Sequence, residues 1–156
     1  MRRLNIFTTE FQYDPQDADG YRGGSVRLGR PIGAHKLAGS LYELPGGEAV
    51  CPYHYEHGDE EWLLVLAGNP TVRDPDGEEC LQPGDLVCFT AGPQGAHKVS
   101  NHSQETVRVL MLSTANLPAV AVYPDSDKIG VFTEDGRDDV MVRREQSVDY
   151  YDGERP

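Results

Sequence analysis

The stretch that decides the fold concentrates histidines and acidic residues within twelve positions: Cys51-Pro52-Tyr53-His54-Tyr55-Glu56-His57-Gly58-Asp59-Glu60-Glu61-Trp62. Successive side chains of a β-strand alternate between its two faces, so His54 and Glu56 are predicted to point the same way. Glu61 opens the next strand and shares a face with Leu63 and Val65. A carboxylate that faces a core is costly unless it is paired, hydrogen-bonded or bound to a metal. The neighbouring imidazole and carboxylate groups make metal binding the most economical explanation.

A second stretch supplies a further imidazole. Residues 83–101 contain a Pro-Gly-Asp turn, an apolar strand and the loop Gly92-Pro93-Gln94-Gly95, after which His97 begins another strand. Glycine and proline at these positions provide the special backbone angles that tight turns require. The loop therefore aims His97 toward the same interior, where it can act as a fourth ligand.

The rest of the chain indicates an all-β protein. Short runs rich in Val, Leu, Tyr and Thr alternate with turn clusters at intervals of about 8–12 residues, and 17 glycines and 11 prolines supply the turns. Strands are predicted over Leu4–Thr8, Ser25–Arg30, Lys36–Leu44, Val50–His54, Glu61–Ala67, Thr71–Arg73, Glu79–Leu81, Asp85–Phe89, Ala96–Ser100 and Thr106–Ser113. Residues 13–24 are predicted to be a surface loop. The segment after Pro118 is predicted to be an arm wrapped on the barrel, because its apolar stretches are too short to form a core of their own.

Two of these strands, 61–67 and 106–113, are apolar on nearly both faces. An open sheet would leave one such face in water, so they predict a barrel or sandwich whose outer face is covered. The amino-terminal strands or a second subunit could provide the cover. We therefore expect a homodimer.

Charge and composition narrow the classes of partner. The chain of 156 residues has 14 basic and 26 acidic side chains, a net charge of −12. Nucleic acid and anionic membrane surfaces are excluded as partners because both require a basic face. The residues after Met1-Arg2-Arg3 lack the apolar core of a secretion signal, and the three cysteines lack Cys-x-x-Cys spacing. A cytoplasmic protein with reduced thiols is expected.

Both histidine-bearing stretches resemble the two motifs of the cupin superfamily, G-x5-H-x-H-x3/4-E-x6-G and G-x5-P-x-G-x2-H-x3-N. The matching positions are His54, Glu61, Gly68, Gly84, Gly92, His97 and Asn101. The sequence departs from the pattern where Glu56 replaces the second histidine, where Thr90 replaces the proline, and where four residues rather than two separate Gly92 from His97. Gly47 also lies one place early. The carboxy-terminal tail looks like that of small bacterial single-domain cupins of unassigned function.

The resemblance implies a double-stranded β-helix, also called a jelly-roll barrel, with amino- and carboxy-terminal arms. It spans residues 37–112 within a single domain of residues 1–156, and residues 118–156 form the carboxy-terminal extension. The implied ligands are His54, Glu56, Glu61 and His97, two nitrogen and two carboxylate donors. Such a set suits divalent iron, manganese, nickel, cobalt or zinc. Without Glu56 it becomes the two-histidine, one-carboxylate set of non-haem iron oxygenases.

Three alternatives remain open at this point. Glu56 could act as a carboxylate that orients His54 or as a general base. A one-residue bulge could bring His57 inward in place of Glu56. The protein could be a metal-dependent oxygenase or isomerase acting on a small polar organic molecule, or a non-catalytic module that binds or senses a small molecule.

Overall fold

The computed structural model describes residues 1–154, which form short antiparallel strands joined by turns. The strands are β1 (Gly24–Arg27), β2 (Leu37–Leu44), β3 (Tyr55–Glu56), β4 (Glu61–Ala67), β5 (Thr71–Arg73), β6 (Glu78–Cys80), β7 (Leu86–Phe89), β8 (Lys98–Ser100), β9 (Val107–Thr114), β10 (Ala119–Tyr123), β11 (Lys128–Phe132) and β12 (Val140–Arg143). One helical turn, α1 (Gly29–Ile32), and 3-10 turns at Pro93–Gly95, Pro124–Ser126 and Arg144–Gln146 complete the elements. Among the described residues, no helix is long and apolar enough to cross a bilayer.

The strands form three sheets. A five-stranded sheet has the order β1-β2-β9-β4-β7, a four-stranded sheet β12-β11-β10-β3, and a three-stranded sheet β6-β5-β8. Every pairing of these strands is antiparallel. β9 pairs along its whole length with β2 and also with β4, so strands far apart in sequence become neighbours. This pattern of long connections between antiparallel strands is typical of jelly rolls.

The main core lies on the inner face of the five-stranded sheet. Along β9 burial alternates, with Val107, Val109 and Met111 buried and the residues between them more exposed. Leu63 and Val65 of β4 share that face and are at most 1% exposed. Each fully buried side chain of this size contributes about 1.5–3 kcal/mol, so the alternating row fixes which way Glu61, at its head, must point.

Three predicted strands differ from the structure. Leu4–Thr8 forms a turn, because the Asn5 side chain accepts a hydrogen bond from the Phe7 amide (2.9 Å) and its carbonyl accepts one from the Thr8 amide (3.2 Å). The strand predicted over Ser25–Arg30 ends at Arg27, where the chain turns into α1. Val50–His54 is a series of bends that precedes β3; Pro52 has no amide hydrogen to donate to a ladder.

The apolar stretches of the carboxy-terminal segment lie in β10, β11 and β12, which form a sheet with β3. A bidentate ion pair ties this sheet to β5: the Arg73 guanidinium donates to the Asp125 carboxylate at 2.6 and 3.0 Å. The same guanidinium lies 3.9 Å from the centre of the Tyr53 ring. These contacts hold the end of β10 against the segment that carries His54.

Candidate metal centre

Three side chains converge from three different elements. Glu61 is the first residue of β4. His54 directly precedes β3, and His97 directly precedes β8. The two histidines form an isolated antiparallel bridge, in which each amide donates to the other's carbonyl at 3.1 and 2.8 Å. The backbone therefore fixes the two imidazoles side by side, and the core row of β4 delivers the carboxylate between them.

The three ligand atoms lie within 4.8 Å of one another. Glu61 Oε2 is 3.3 Å from His97 Nε2 and 3.9 Å from His54 Nε2. His97 is 1% exposed and His54 8% exposed, so the group sits inside the barrel. Of the four predicted ligands, the structure thus brings together His54, Glu61 and His97.

Backbone carbonyls set the orientation of both imidazoles. His54 Nδ1 lies 3.0 Å from the Pro52 carbonyl oxygen, and His97 Nδ1 lies 2.9 Å from that of Gly95. A carbonyl only accepts, so each Nδ1 carries the proton and each Nε2 keeps its lone pair. This is the arrangement by which metal-binding histidines are held, with the outer nitrogen donating and the inner one free to coordinate.

Burial keeps these imidazoles neutral and makes the carboxylate hard to ionise. Desolvation lowers the pKa of His54, and that of His97 to about 4. Burial, followed by the charges of Glu56 and Asp59, raises the pKa of Glu61 to about 7. Desolvation is the largest cause of all three pKa shifts.

Two buried atoms at the centre of the group have no hydrogen-bond partner in the described chain, Glu61 Oε2 and His97 Nε2. Buried polar atoms are nearly always satisfied, so such a pair needs an explanation. A divalent cation would take the lone pairs of both imidazoles and the carboxylate at once. The residues present therefore fit a metal ion.

Aromatic rings pack against both imidazoles. Phe89 stacks on His97 with ring centres 3.7 Å apart and planes within 5°. Tyr123 lies roughly parallel to His54, with ring centres 5.8 Å apart. The sequence alone indicates no role for Tyr123, because its contact with His54 depends on the pairing of β10 with β3, which no local pattern reveals.

Glu56 and His57 lie outside the group of three. The Glu56 side chain is half-buried, and burial, followed by the neighbouring Asp59, raises its pKa to about 7. His57 is exposed and packs its ring edge-on against Tyr55. Direct coordination by Glu56 stays a prediction. Asp59 is a further buried carboxylate, which no sequence motif indicated; it accepts hydrogen bonds from Thr114 Oγ1 (2.6 Å) and the Asn116 amide (3.0 Å).

Cys51 lies next to His54 at the edge of the candidate metal centre. Its Sγ is 3.5 Å from His54 Nδ1, and burial raises its pKa to about 12, with Glu61 and Glu56 contributing. It is therefore a neutral thiol and lies on the side of His54 that faces away from Glu61. Beyond it is a cavity of about 220 Å³ whose lining includes Tyr21 and Tyr42.

Residues 40–113 match the family described as the cupin domain. This match spans just under half of the chain and agrees with the cupin resemblance of the sequence motifs. No curated protein matches its sequence.

Solved structures reproduce the fold of this chain over most of its length. A sugar phosphate isomerase of the cupin superfamily from Silicibacter pomeroyi DSS-3 matches with a TM-score of 0.81 and 23% identity, covering 96% of this chain and 98% of that one. A protein from Acidithiobacillus ferrooxidans ATCC 23270 matches with a TM-score of 0.81 and 23% identity, covering 92% and 91%. A polyketide cyclase from Streptomyces resistomycificus matches with a TM-score of 0.61 and 20% identity, covering 76% and 83%. The predicted all-β jelly-roll barrel is confirmed.

Proposed function

We propose that this protein binds one divalent metal ion with His54, Glu61 and His97 and acts as a metal-dependent enzyme on a small polar organic molecule. The observation that carries the proposal is the buried, unpartnered pair of Glu61 Oε2 and His97 Nε2, 3.3 Å apart. Both imidazoles already present a lone pair to this point, so the protein supplies three donors in a preorganised site.

Two nitrogens and one carboxylate oxygen are donors that suit divalent iron, manganese, nickel, cobalt or zinc. Once bound, such an ion supplies Lewis-acid or dioxygen chemistry at its open coordination positions. The protein's part is to orient the imidazoles through the carbonyls of Pro52 and Gly95 and to exclude water with Phe89 and Tyr123.

Isomerisation is the reaction class that we favour. It requires a proton to move between neighbouring carbons, and the Glu56 carboxyl on β3 is close enough for its charge to raise the pKa of Glu61. The structural likeness to a sugar phosphate isomerase supports the same class. If Glu56 is instead a fourth ligand, as the sequence predicts, the proton must pass to another group.

Two other functions have specific support. The two-histidine, one-carboxylate set is the pattern of non-haem iron oxygenases, so an oxygenase is the second candidate. A module that senses a small molecule through the metal would use the same three donors. We further propose that the protein works in the cytoplasm as a homodimer, since its three thiols are free and an apolar sheet face is exposed.

Metal analysis of protein purified without chelators tests the centre. We expect close to one ion per chain in the wild type and loss of the ion in His54→Ala and His97→Ala. His102→Ala is the matched control, because that imidazole is exposed in a loop. Full metal occupancy in the double variant His54→Ala/His97→Ala would overturn the proposal.

Two assays then separate the functions. Protein loaded with each metal is incubated with small hydroxy-carbonyl compounds in D₂O, and an isomerase incorporates deuterium at the carbon next to the carbonyl. An oxygenase loaded anaerobically with Fe(II) consumes dioxygen only when substrate is added. Tight ligand binding with neither signal indicates the sensing module.

A further inference from the structure

A row of side chains on one face of the carboxy-terminal sheet leads away from the metal centre. The register of β3 with β10, continued by one residue, sets His54 beside Tyr123. Tyr123 is paired with Lys128 of β11, and Lys128 with Arg143 of β12. Directly opposed residues of antiparallel strands place their side chains on the same face. An imidazole, a phenol, an ammonium and a guanidinium therefore follow one another across that face.

The contacts along the row agree with this register. The rings of His54 and Tyr123 are 5.8 Å apart and within 22° of parallel. Lys128 Nζ lies 5.3 Å from the centre of the Tyr123 ring, a cation–π distance. Tyr123 and Lys128 are both half-buried, and Arg143 is exposed. The row thus runs from the buried metal centre to solvent in three steps, each to the neighbouring strand.

The two cations of the row have no acidic partner among residues 1–154. The turn between β10 and β11 offers two carboxylates, but Asp125 is engaged by Arg73 and Asp127 by Arg144. Arg143 Nη1 donates instead to the carbonyl of Ser126 at 2.8 Å. The acidic residues of this turn therefore form their ion pairs with other arginines.

An unpartnered pair of this kind is unfavourable in the free protein. Like charges directly opposite each other on neighbouring strands destabilise a sheet. The arrangement is unusual here because the chain as a whole carries a charge of −12 and has acidic residues to spare. An oxyanion bound between Lys128 and Arg143 would relieve the repulsion through charge-assisted hydrogen bonds.

We propose that Lys128 and Arg143 bind an oxyanion group of the substrate, a carboxylate or a phosphate, while the substrate's other end lies at the metal centre beside Tyr123. This inference rests on the proposed metal centre. It adds to it a substrate class, small polar molecules that carry a negative charge away from the reacting end. The remainder of the acidic surface repels the same anion, which directs it to this row.

Titration calorimetry with three α-hydroxy acids tests the inference. Lactate, malate and 3-phosphoglycerate can each chelate a metal through the same hydroxyl and carboxylate, but they carry a distal methyl, carboxylate or phosphate group. We expect malate or 3-phosphoglycerate to bind the nickel-loaded protein about tenfold more tightly than lactate. The tighter of the two identifies which oxyanion the row takes.

Variants show whether the preference comes from the row. In Lys128→Met/Arg143→Met the advantage over lactate is expected to fall below about twofold, with lactate affinity unchanged, since lactate does not reach the cations. Lys128→Arg keeps the charge and should keep most of the advantage. Lys36→Met, an exposed lysine outside the row, is the control for a change of net charge.

The outcomes separate the two proposals. If the protein takes up no nickel, the metal centre is wrong and this inference falls with it. If nickel binds but malate and 3-phosphoglycerate are no tighter than lactate, this inference alone is wrong. It is equally wrong if their advantage survives in Lys128→Met/Arg143→Met, because the distal group must then be bound by the metal or by other residues.

Discussion

At the scale of single residues, Glu61 decides how the site responds to pH. A carboxylate must lose its proton before it coordinates a metal, and burial raises the pKa of Glu61 to about 7. The pKa of His97 is lowered to about 4, so that imidazole is already neutral above pH 6. Protons therefore compete with the metal at the carboxylate, and binding strengthens as the pH rises.

We predict that the apparent affinity for nickel falls about tenfold per pH unit below pH 7 and becomes nearly constant above pH 8. Competition with a chelator of known affinity, or calorimetry in buffers of different ionisation enthalpy, measures this slope. Glu61→Gln should bind nickel more weakly and with little pH dependence between pH 6 and 8. A wild-type affinity that does not change over that range would contradict the prediction.

The same slope decides the role of Glu56, whose pKa is also raised to about 7. If Glu56 is a fourth ligand, a second proton is displaced and the affinity falls about a hundredfold per pH unit below pH 7. Glu56→Gln then returns the slope to about tenfold. If Glu56 acts only as a base, Glu56→Gln leaves the nickel affinity nearly unchanged and lowers turnover by about 10²–10⁴-fold.

At the scale of elements, the local pattern predicted most of the strands but gave no information on their pairing. β4 and β5 have the bounds expected from the sequence, because an apolar row and flanking turn residues define each of them. Val50–His54 was wrong as a strand, since Pro52 interrupts the ladder. The three donors His54, Glu61 and His97 were all predicted, whereas Tyr123 was not. Its position depends on β10 pairing with a strand more than sixty residues away, a choice made by tertiary packing.

Asn101 shows how one side chain can hold two elements together. It is fully buried at the end of β8, and its amide nitrogen donates to the carbonyls of Leu44 (2.8 Å) and Glu105 (2.7 Å). Its Oδ1 accepts from the amide and the hydroxyl of Ser103 at 2.9 and 2.8 Å. The loop that leads into β9 is thereby fixed to the end of β2.

We predict that Asn101→Ala lowers the free energy of unfolding by about 2–3 kcal/mol, because it leaves buried carbonyls without a donor. Urea unfolding followed by tryptophan fluorescence measures the change. Asn69→Ala is the control: that exposed side chain makes one hydrogen bond, to the Leu81 carbonyl, and should cost about 1 kcal/mol or less. Equal losses in the two variants would contradict the argument.

At the scale of the whole molecule, the outer face of the five-stranded sheet is apolar and partly uncovered. Trp62 of β4 lies beside Cys88 of β7 and Leu112 of β9, and Trp62 and Leu112 are 46% and 42% exposed. Leu86, at 58% exposure, extends the same face along β7. On the β2 side the chain covers this face itself, and Leu41 is 1% exposed. Contiguous exposed apolar side chains of this kind mark interaction sites.

A second copy packed on this face would bury Trp62 against its counterpart, and a two-fold axis lets one patch serve both subunits. We predict a wild-type mass near twice 17.2 kDa by light scattering after gel filtration. Because tryptophans at the centre of interfaces carry a large share of the binding energy, Trp62→Glu should weaken dimerisation by at least about 30-fold and elute as a monomer at micromolar concentration. Tyr150→Glu is the matched control, an equally drastic change at an exposed aromatic residue of the carboxy-terminal tail, and should remain dimeric. The opposite result, a dimeric Trp62→Glu and a monomeric Tyr150→Glu, would move the interface from the sheet to the tail, and a monomeric wild type would leave the apolar face to a different partner.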